Sequence, residues 1–463
     1  MLAASILASA LGFIDGSLVA IAMPAMRTSL DATLVQAQWI NNAYMLPLSA
    51  LILAGGALGD RFGLGRVFSA GIAVFLVASL LSAIAPSPDA LIAARALKGV
   101  GAAAMIPGSL SLIYRAYPRE ARGRAIGIWA GASALTTALG PVVAGAALTL
   151  IGPGAWRWLF ALNLPLGILA IWLILGAVEN DHGNSAKGID VVGALLASAA
   201  LGLLAFGLTG LSNGQGTVPL LIGGLGLLLF VWWEHRTTDP MMSLSLFASR
   251  TFSAANVATF CLYFGLSAVL FFLPMTVIAG WGVTEAQASV AFIPLTVFIA
   301  LFSARAGRMA DTYGPGPLIA LGAAVTAIAF AGLGLTAHLQ RFWDVTMPLM
   351  ALMGAGMCFV VAPLSAAVMG AVPDQSAGAA SGINNAVTRI SGLVAVAAMG
   401  AVAAIGYSAA GGIDSFGAPG TGEAHVNAMN AGFRAVALVT AGLSGISALV
   451  AWVGISKPVQ IGS

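Results

Sequence analysis

Apolar stretches of about 20 residues recur along all 463 residues of the chain, and no other feature limits its fold so tightly. Hydrocarbon offers backbone N–H and C=O groups no partner, so each stretch must close its hydrogen bonds within itself, as a helix. Fourteen such runs can be read, from 2–24 to 430–455, among them 39–59, 90–114, 124–150 and a short glycine-rich one at 218–234. Only 8% of residues are charged, against about 25% in a soluble domain, so a large water-facing surface is excluded. The expected fold is an all-α polytopic membrane protein with 14 transmembrane helices.

The charges sort by side. With an even number of crossings, Arg61, Arg66, Arg115, Arg119, Arg122, Arg124, Lys187, Arg236, Arg250, Arg305, Arg308 and Lys457 share one face, and only Arg27, Arg157, Arg341 and Arg434 the other. This bias predicts both termini in the cytoplasm of a cell whose inner (plasma) membrane the chain spans. The net charge of +3 therefore belongs to loops facing a lipid bilayer, and no nucleic acid is expected as a partner. Cys261 and Cys358 lie inside apolar runs, far from any Cys-His grouping, and the four histidines fall in loops or at helix ends. No metal and no cofactor is expected. Without an HExxH pair, a catalytic Cys-His grouping or a phosphate loop, an intramembrane enzyme is disfavoured.

The chain repeats itself. Gly56, Asp60 and Gly63 recur as Gly307, Asp311 and Gly314, each 251 residues on, and Pro118, Gly123 and Gly127 recur as Pro373, Gly378 and Gly382 at an offset of 255. The spacing reads as two six-helix bundles, 1–180 and 250–463, with two further helices in 181–249 that have no counterpart. Parallel repeats of this kind build transporters whose halves rock about a central site.

Gly56-Ala57-Leu58-Gly59-Asp60-Arg61-Phe62-Gly63-Leu64-Gly65-Arg66 resembles the loop between helices 2 and 3 of the major facilitator superfamily. Arg95 through Gly99 resembles its helix 4 motif, and Gly131 through Gly140-Pro141-Val142-Val143-Ala144-Gly145 its helix 5 antiporter motif. Trp156-Arg157-Trp158-Leu159-Phe160 is similar to the start of helix 6 in the fourteen-helix drug:proton antiporter branch. Phe13-Ile14-Asp15-Gly16 through Ala22-Met23-Pro24 resembles its helix 1 pattern of an acid before an Ala-x-Pro exit, although Gly16 and Ser17 stand where a Ser or Thr usually follows the acid directly. The resemblance implies a multidrug efflux transporter working by alternating access, a monomer with a small-molecule substrate and protons as its partners.

An ionised carboxylate in hydrocarbon costs about 2.5–3.5 kcal/mol on insertion scales, so Asp15 needs a cavity or a partner. At 1.5 Å per residue, Asp15 stands about 20 Å and Arg95 about 22 Å above the cytoplasmic edge, so the two can meet. Asp15 is the expected proton-titrating site and Arg95 its counter-charge. Asp60, with Gly56, Arg61, Gly63, Arg66, Gly307, Asp311 and Gly314, is expected to form a cytoplasmic gate, held by Arg115, Arg119, Arg122 or Arg124. Gly131, Gly140, Pro141 and Gly145 are expected to let another helix pack closely and to bend the fifth. Trp39, Asn42, Tyr44, Trp129, Asn256, Tyr263, Asn385 and Arg389 are candidate substrate contacts, amphipathic side chains suited to a large apolar ligand. Two cargo readings stand: hydrophobic or amphipathic compounds, some of them cationic, or a specific native metabolite, lipid or siderophore.

Overall fold

A computed structural model of the chain describes residues 1–175, 183, 188–211, 214–373, 376–420 and 422–455; at 110, 114, 115, 119–123, 126, 127, 130 and 134 it describes backbone only. Among the described residues, fourteen helical spans are long and apolar enough to cross a membrane. In chain order they are α1 (Leu2–Leu30), α2 (Leu34–Phe62), α3 (Leu64–Ala83), α4 (Pro88–Ile113), α5 (Gly131–Ile151), α6 (Pro153–Leu175) and α7 (Val191–Thr209). Then follow α8 (Thr217–Arg236), α9 (Arg250–Ala279), α10 (Glu285–Tyr313), α11 (Pro315–Leu339), α12 (Phe342–Gly370), α13 (Ala377–Ala409) and α14 (Glu423–Gly454).

Met1–Met241 together with Thr284–Ser289 form one compact unit, and Met242–Val283 together with the chain from Val290 onward form the other. Within the first, α4 packs on both α2 and α3, α1 lies against α5 and α6, and α3 touches α6. Within the second, α12 packs on α10 and α11, α9 lies against α13 and α14, and α11 touches α14. The neighbour pattern is the same in each, so the sequence repeat is also a repeat of packing. The helices α7 and α8, read in the sequence as a segment of their own, pack with the first unit: the ring of Phe206 on α7 lies 6.3 Å from that of Trp39 on α2. Nearly all of α8 faces outward. Leu225, Leu228 and Trp232 project from it, the outward apolar surface that lipid requires.

Several boundaries differ from the sequence reading. The first run was expected to end at Pro24, yet α1 continues to Leu30. A proline forfeits one backbone donor but does not stop a helix that is otherwise held. Here Thr28 Oγ1 donates to the Pro24 carbonyl at 3.1 Å. The helix ends at Asp31, whose φ of 50° is left-handed, and Arg27 Nε donates to the Ala32 carbonyl at 3.2 Å. Arg27 is thus a buried C-terminal cap rather than a loop charge. The second helix starts at Leu34, five residues before the expected 39, because Thr33 and Gln36 form a capping box.

The stretch 56–66, expected as a loop, is almost entirely helical. Gly56, Asp60 and Arg61 belong to α2, Arg66 belongs to α3, and Gly63 alone separates the two, at φ 98°. The downstream copy repeats this: Gly307, Arg308 and Asp311 lie in α10, and Gly314 at φ 85° is the lone break before α11. A side chain rarely tolerates either backbone conformation, which explains glycine at both places.

Candidate functional site

The first unit holds a cluster of fully buried charges. Asp15 on α1 pairs through Oδ2 with Arg95 Nη1 and through Oδ1 with Lys98 Nζ, both on α4. None of the three side chains is exposed by more than 1%. Charges removed from water this far need partners on every side. Arg95 Nε donates to the Ile40 carbonyl of α2 at 3.0 Å, and its guanidinium carbon lies 4.5 Å from the Tyr44 ring centre. Lys98 Nζ lies 4.7 Å from the centre of Phe75 on α3 and 4.6 Å from that of Phe160 on α6. Ring faces attract cations at such range, so aromatic groups take the place of lost water.

Small residues on α4 allow this enclosure. A Cβ on Gly99 would meet the Tyr44 carbonyl oxygen at 2.4 Å, and one on Gly101 would meet the Gly71 carbonyl oxygen and the Phe75 nitrogen at 2.7 Å. The glycines therefore bring α2 and α3 close enough for Tyr44 and Phe75 to reach the cations. The fifth helix, which begins at Arg119 ahead of its membrane span, grips α1 on both sides of the acid. Trp129 Nε1 donates to Ser9 Oγ at 2.9 Å, and a Cβ on Gly140 would lie 2.2 Å from Ser17 Oγ.

The structure thus brings Asp15 and Arg95 together, as the depth estimate anticipated. It adds Lys98, which the sequence reading quoted within the helix 4 motif without assigning it a role. The signal was its three-residue spacing from Arg95, which puts both on one helix face. Of the antiporter-motif residues, Gly140 sits against α1, Gly145 against the Glu285 carbonyl and Ser289, and Pro141 lies inside the fifth helix. Gly131 departs from the expectation: among the described residues, nothing lies within 4 Å of where its Cβ would be, and no close packing is found there. Glycine spacing shows which residues share a helix face but not whether a neighbour covers it. The side chains of Arg115, Arg119 and Arg122, expected to hold Asp60, lie outside the described residues, and Arg124 is exposed.

The candidate substrate contacts scatter. Tyr44 belongs to the charge cluster, Trp39 packs on Phe206, and Trp129 is tied to Ser9. Asn42 is fully buried, accepts from Asn41 Nδ2 at 3.2 Å, and has an amide nitrogen with no partner among the described residues. In the second unit, Asn384 Nδ2 donates to Asn256 Oδ1 at 3.2 Å and to Thr259 Oγ1 at 2.9 Å, a neutral polar cluster. Asn385 is exposed and bonds to Ser381 of its own helix, and Tyr263 and Arg389 are half-buried. Where α4 carries Arg95 and Lys98, α12 buries Met350, Met353 and Met357. No group of three or more potential metal ligands occurs among the described residues.

Two units of matching helix packing, the first enclosing a buried acid between two cations, define the class of helical membrane transporters built from parallel repeats. The chain belongs to the Major Facilitator Superfamily, which it matches over residues 5–396 and 255–462. It is 30% identical over 395 residues to the multidrug resistance protein Stp of Mycobacterium tuberculosis, covering 84% of this chain and 72% of that one. It is 32% identical over 402 residues to the methylenomycin A resistance protein of Bacillus subtilis, covering 84% and 85%. The tetracenomycin C resistance and export protein of Streptomyces glaucescens is 30% identical over 393 residues, covering 84% and 72%. Among solved structures, a bacterial homologue of the human lysosomal transporter Spinster, inward-facing and unoccupied, superposes with a TM-score of 0.69 at 16% identity, over 99% of this chain and 98% of that one. A D-xylose–proton symporter gives 0.68 at 15%, over 98% and 97%. The relatives are drug-resistance and antibiotic-export transporters, and the chain is a multi-pass membrane transporter.

Proposed function

We propose that the chain is a proton-coupled antiporter that exports hydrophobic or amphipathic compounds from the cytoplasm by alternating access. The observation that carries this reading is the buried Asp15, bonded to Arg95 across α1 and α4 and clamped by the fifth helix at Gly140. A change of charge within such a buried cluster is worth far more than at a surface, so proton binding to one of its members biases one conformation over another. The resistance and export roles printed for the relatives support efflux as the direction. The proposal includes a monomer in the inner membrane with both termini cytoplasmic, the division 1–180, 181–249 and 250–463, and the α2–α3 and α10–α11 junctions with Asp60 and Asp311 as the cytoplasmic gate. Asn42, Asn256, Tyr263, Asn385 and Arg389 remain the proposed cargo contacts.

Inverted membrane vesicles from cells expressing the full chain test it. Energised vesicles are given ethidium, methylenomycin A or tetracenomycin C. Accumulation that a protonophore collapses, and that Asp15→Asn abolishes, is the expected result. Accumulation that survives the protonophore overturns the coupling. Transport confined to a single native metabolite, lipid or siderophore favours the second cargo reading.

A further inference from the structure

Three charges meet in the buried cluster and they do not cancel: one carboxylate faces two cations. We propose that the proton moved by this centre rides on Lys98, while Asp15 stays a carboxylate throughout. The inference rests on the proton-coupled reading above and assigns its proton to a particular atom.

Arginine does not give up its proton in proteins, so only Asp15 and Lys98 can change charge here. Protonating Asp15 leaves two cations around a neutral acid, a net charge of two enclosed in apolar surroundings. Releasing the Lys98 proton instead leaves one matched pair, Asp15 with Arg95, and a net charge of zero. Uncompensated charge is what such surroundings penalise, and each adjacent cation holds the carboxyl ionised. The two bonds also fall on separate oxygens, so the Arg95 bond to Oδ2 survives when Lys98 changes state.

The seat of Lys98 suits both of its forms. Its one hydrogen-bond acceptor among the described residues is Asp15 Oδ1, and the rings of Phe75 and Phe160 cover the rest of the amine. Ring faces attract the ammonium, and a neutral amine loses nothing by lying between them. In the step itself a Nζ–H bond breaks, the proton passes to water, and the nitrogen keeps the electron pair while a remaining N–H still faces Asp15. Of the titratable and charged groups on the helices around this centre, α1 supplies Asp15, α4 supplies Arg95 and α2 supplies Tyr44 beneath Arg95. The third and sixth helices present Phe75 and Phe160.

The chain has only three lysines, Lys98, Lys187 and Lys457, so each can be followed separately. The purified full chain in detergent is pulse-labelled with trace acetic anhydride, which reacts with neutral amines, from about pH 6 to about pH 10. Mass spectrometry reads the acetylation of each lysine. The expected result is a labelling step at Lys98 distinct from those of the other two, which Asp15→Asn displaces by about one unit or more while the others stay in place. Asp15→Glu, which keeps the carboxylate if the Asn variant fails to fold, retains the distinct step. A Lys98 that labels in step with Lys187 and Lys457 overturns the proposal. So does a Lys98 that stays unlabelled at every pH, because a proton carrier must meet water. The labelling uses no cargo. A lysine that does not titrate therefore defeats this inference alone, whereas vesicles that accumulate nothing against a gradient defeat the export reading.

Discussion

Gly140 touches α1 at Ser17: a Cβ there would lie 2.2 Å from the Ser17 hydroxyl oxygen and 3.4 Å from the Ile14 backbone, on the turn that carries Asp15. Gly140→Ala must therefore either turn the Ser17 hydroxyl away from its bond to the Ile14 carbonyl or part the two helices. Overpacking of this kind costs about 1–3 kcal/mol. Gly131→Ala, on the same helix but facing open space, replaces a poor helix former and is expected to change stability by less than about 1 kcal/mol, in the favourable direction. Cys261 and Cys358 are both buried, so a thiol-reactive fluorophore reads unfolding in a thermal ramp. Equal melting of the two variants would refute the close contact.

Asp15→Asn removes the anion from between two buried cations. Breaking a buried pair costs about 3–5 kcal/mol, because the surviving charge is left uncompensated. Lys98→Met is expected to cost less, since the Asp15–Arg95 pair remains. In the double variant the loss should be smaller than the sum of the two singles, the signature of direct coupling. Additive melting shifts would show that the two groups do not interact.

Gly63→Ala and Gly314→Ala force a side chain into φ 98° and φ 85°. Strained backbone of this sort costs about 1–3 kcal/mol per position. The repeat predicts similar losses in the two variants, each read as a drop in melting temperature. A neutral result at either place would mean that its junction relaxes.

Asp190 caps α7 by accepting from Gly193 N at 2.7 Å, and the same oxygen accepts from Trp233 Nε1 of α8 at 2.9 Å. Asp190→Ala removes both bonds and is expected to cost about 1–2 kcal/mol. Trp233→Phe removes one and is expected to cost about 1 kcal/mol. Thermal unfolding of the two variants checks the order.

What could be read from residues alone follows the strength of the physical signal. Spanning runs were legible because hydrocarbon admits only closed backbone hydrogen bonding, and even the glycine-rich 218–234 proved to be the helix Thr217–Arg236. The meeting of Asp15 and Arg95 was legible because helix rise converts position into depth. Lys98 was not legible as a second counter-ion because the aromatic seats that accommodate it come from α3 and α6, outside the helix 4 motif. The extent of α1 past Pro24 was hidden because Thr28 and Arg27 secure the helix through bonds that no local propensity reveals.

The single residue between α2 and α3 has a further consequence. A helix turns about 100° per residue, so a one-residue joint sets the rotational phase of the third helix against the second. Inserting or deleting one residue at Gly63 would swing Phe75 to another azimuth and take its ring from beneath the Lys98 amine. A one-residue corner thereby indexes the lining of the buried charge centre, and Gly314 sets the same angular bookmark for the other half of the chain.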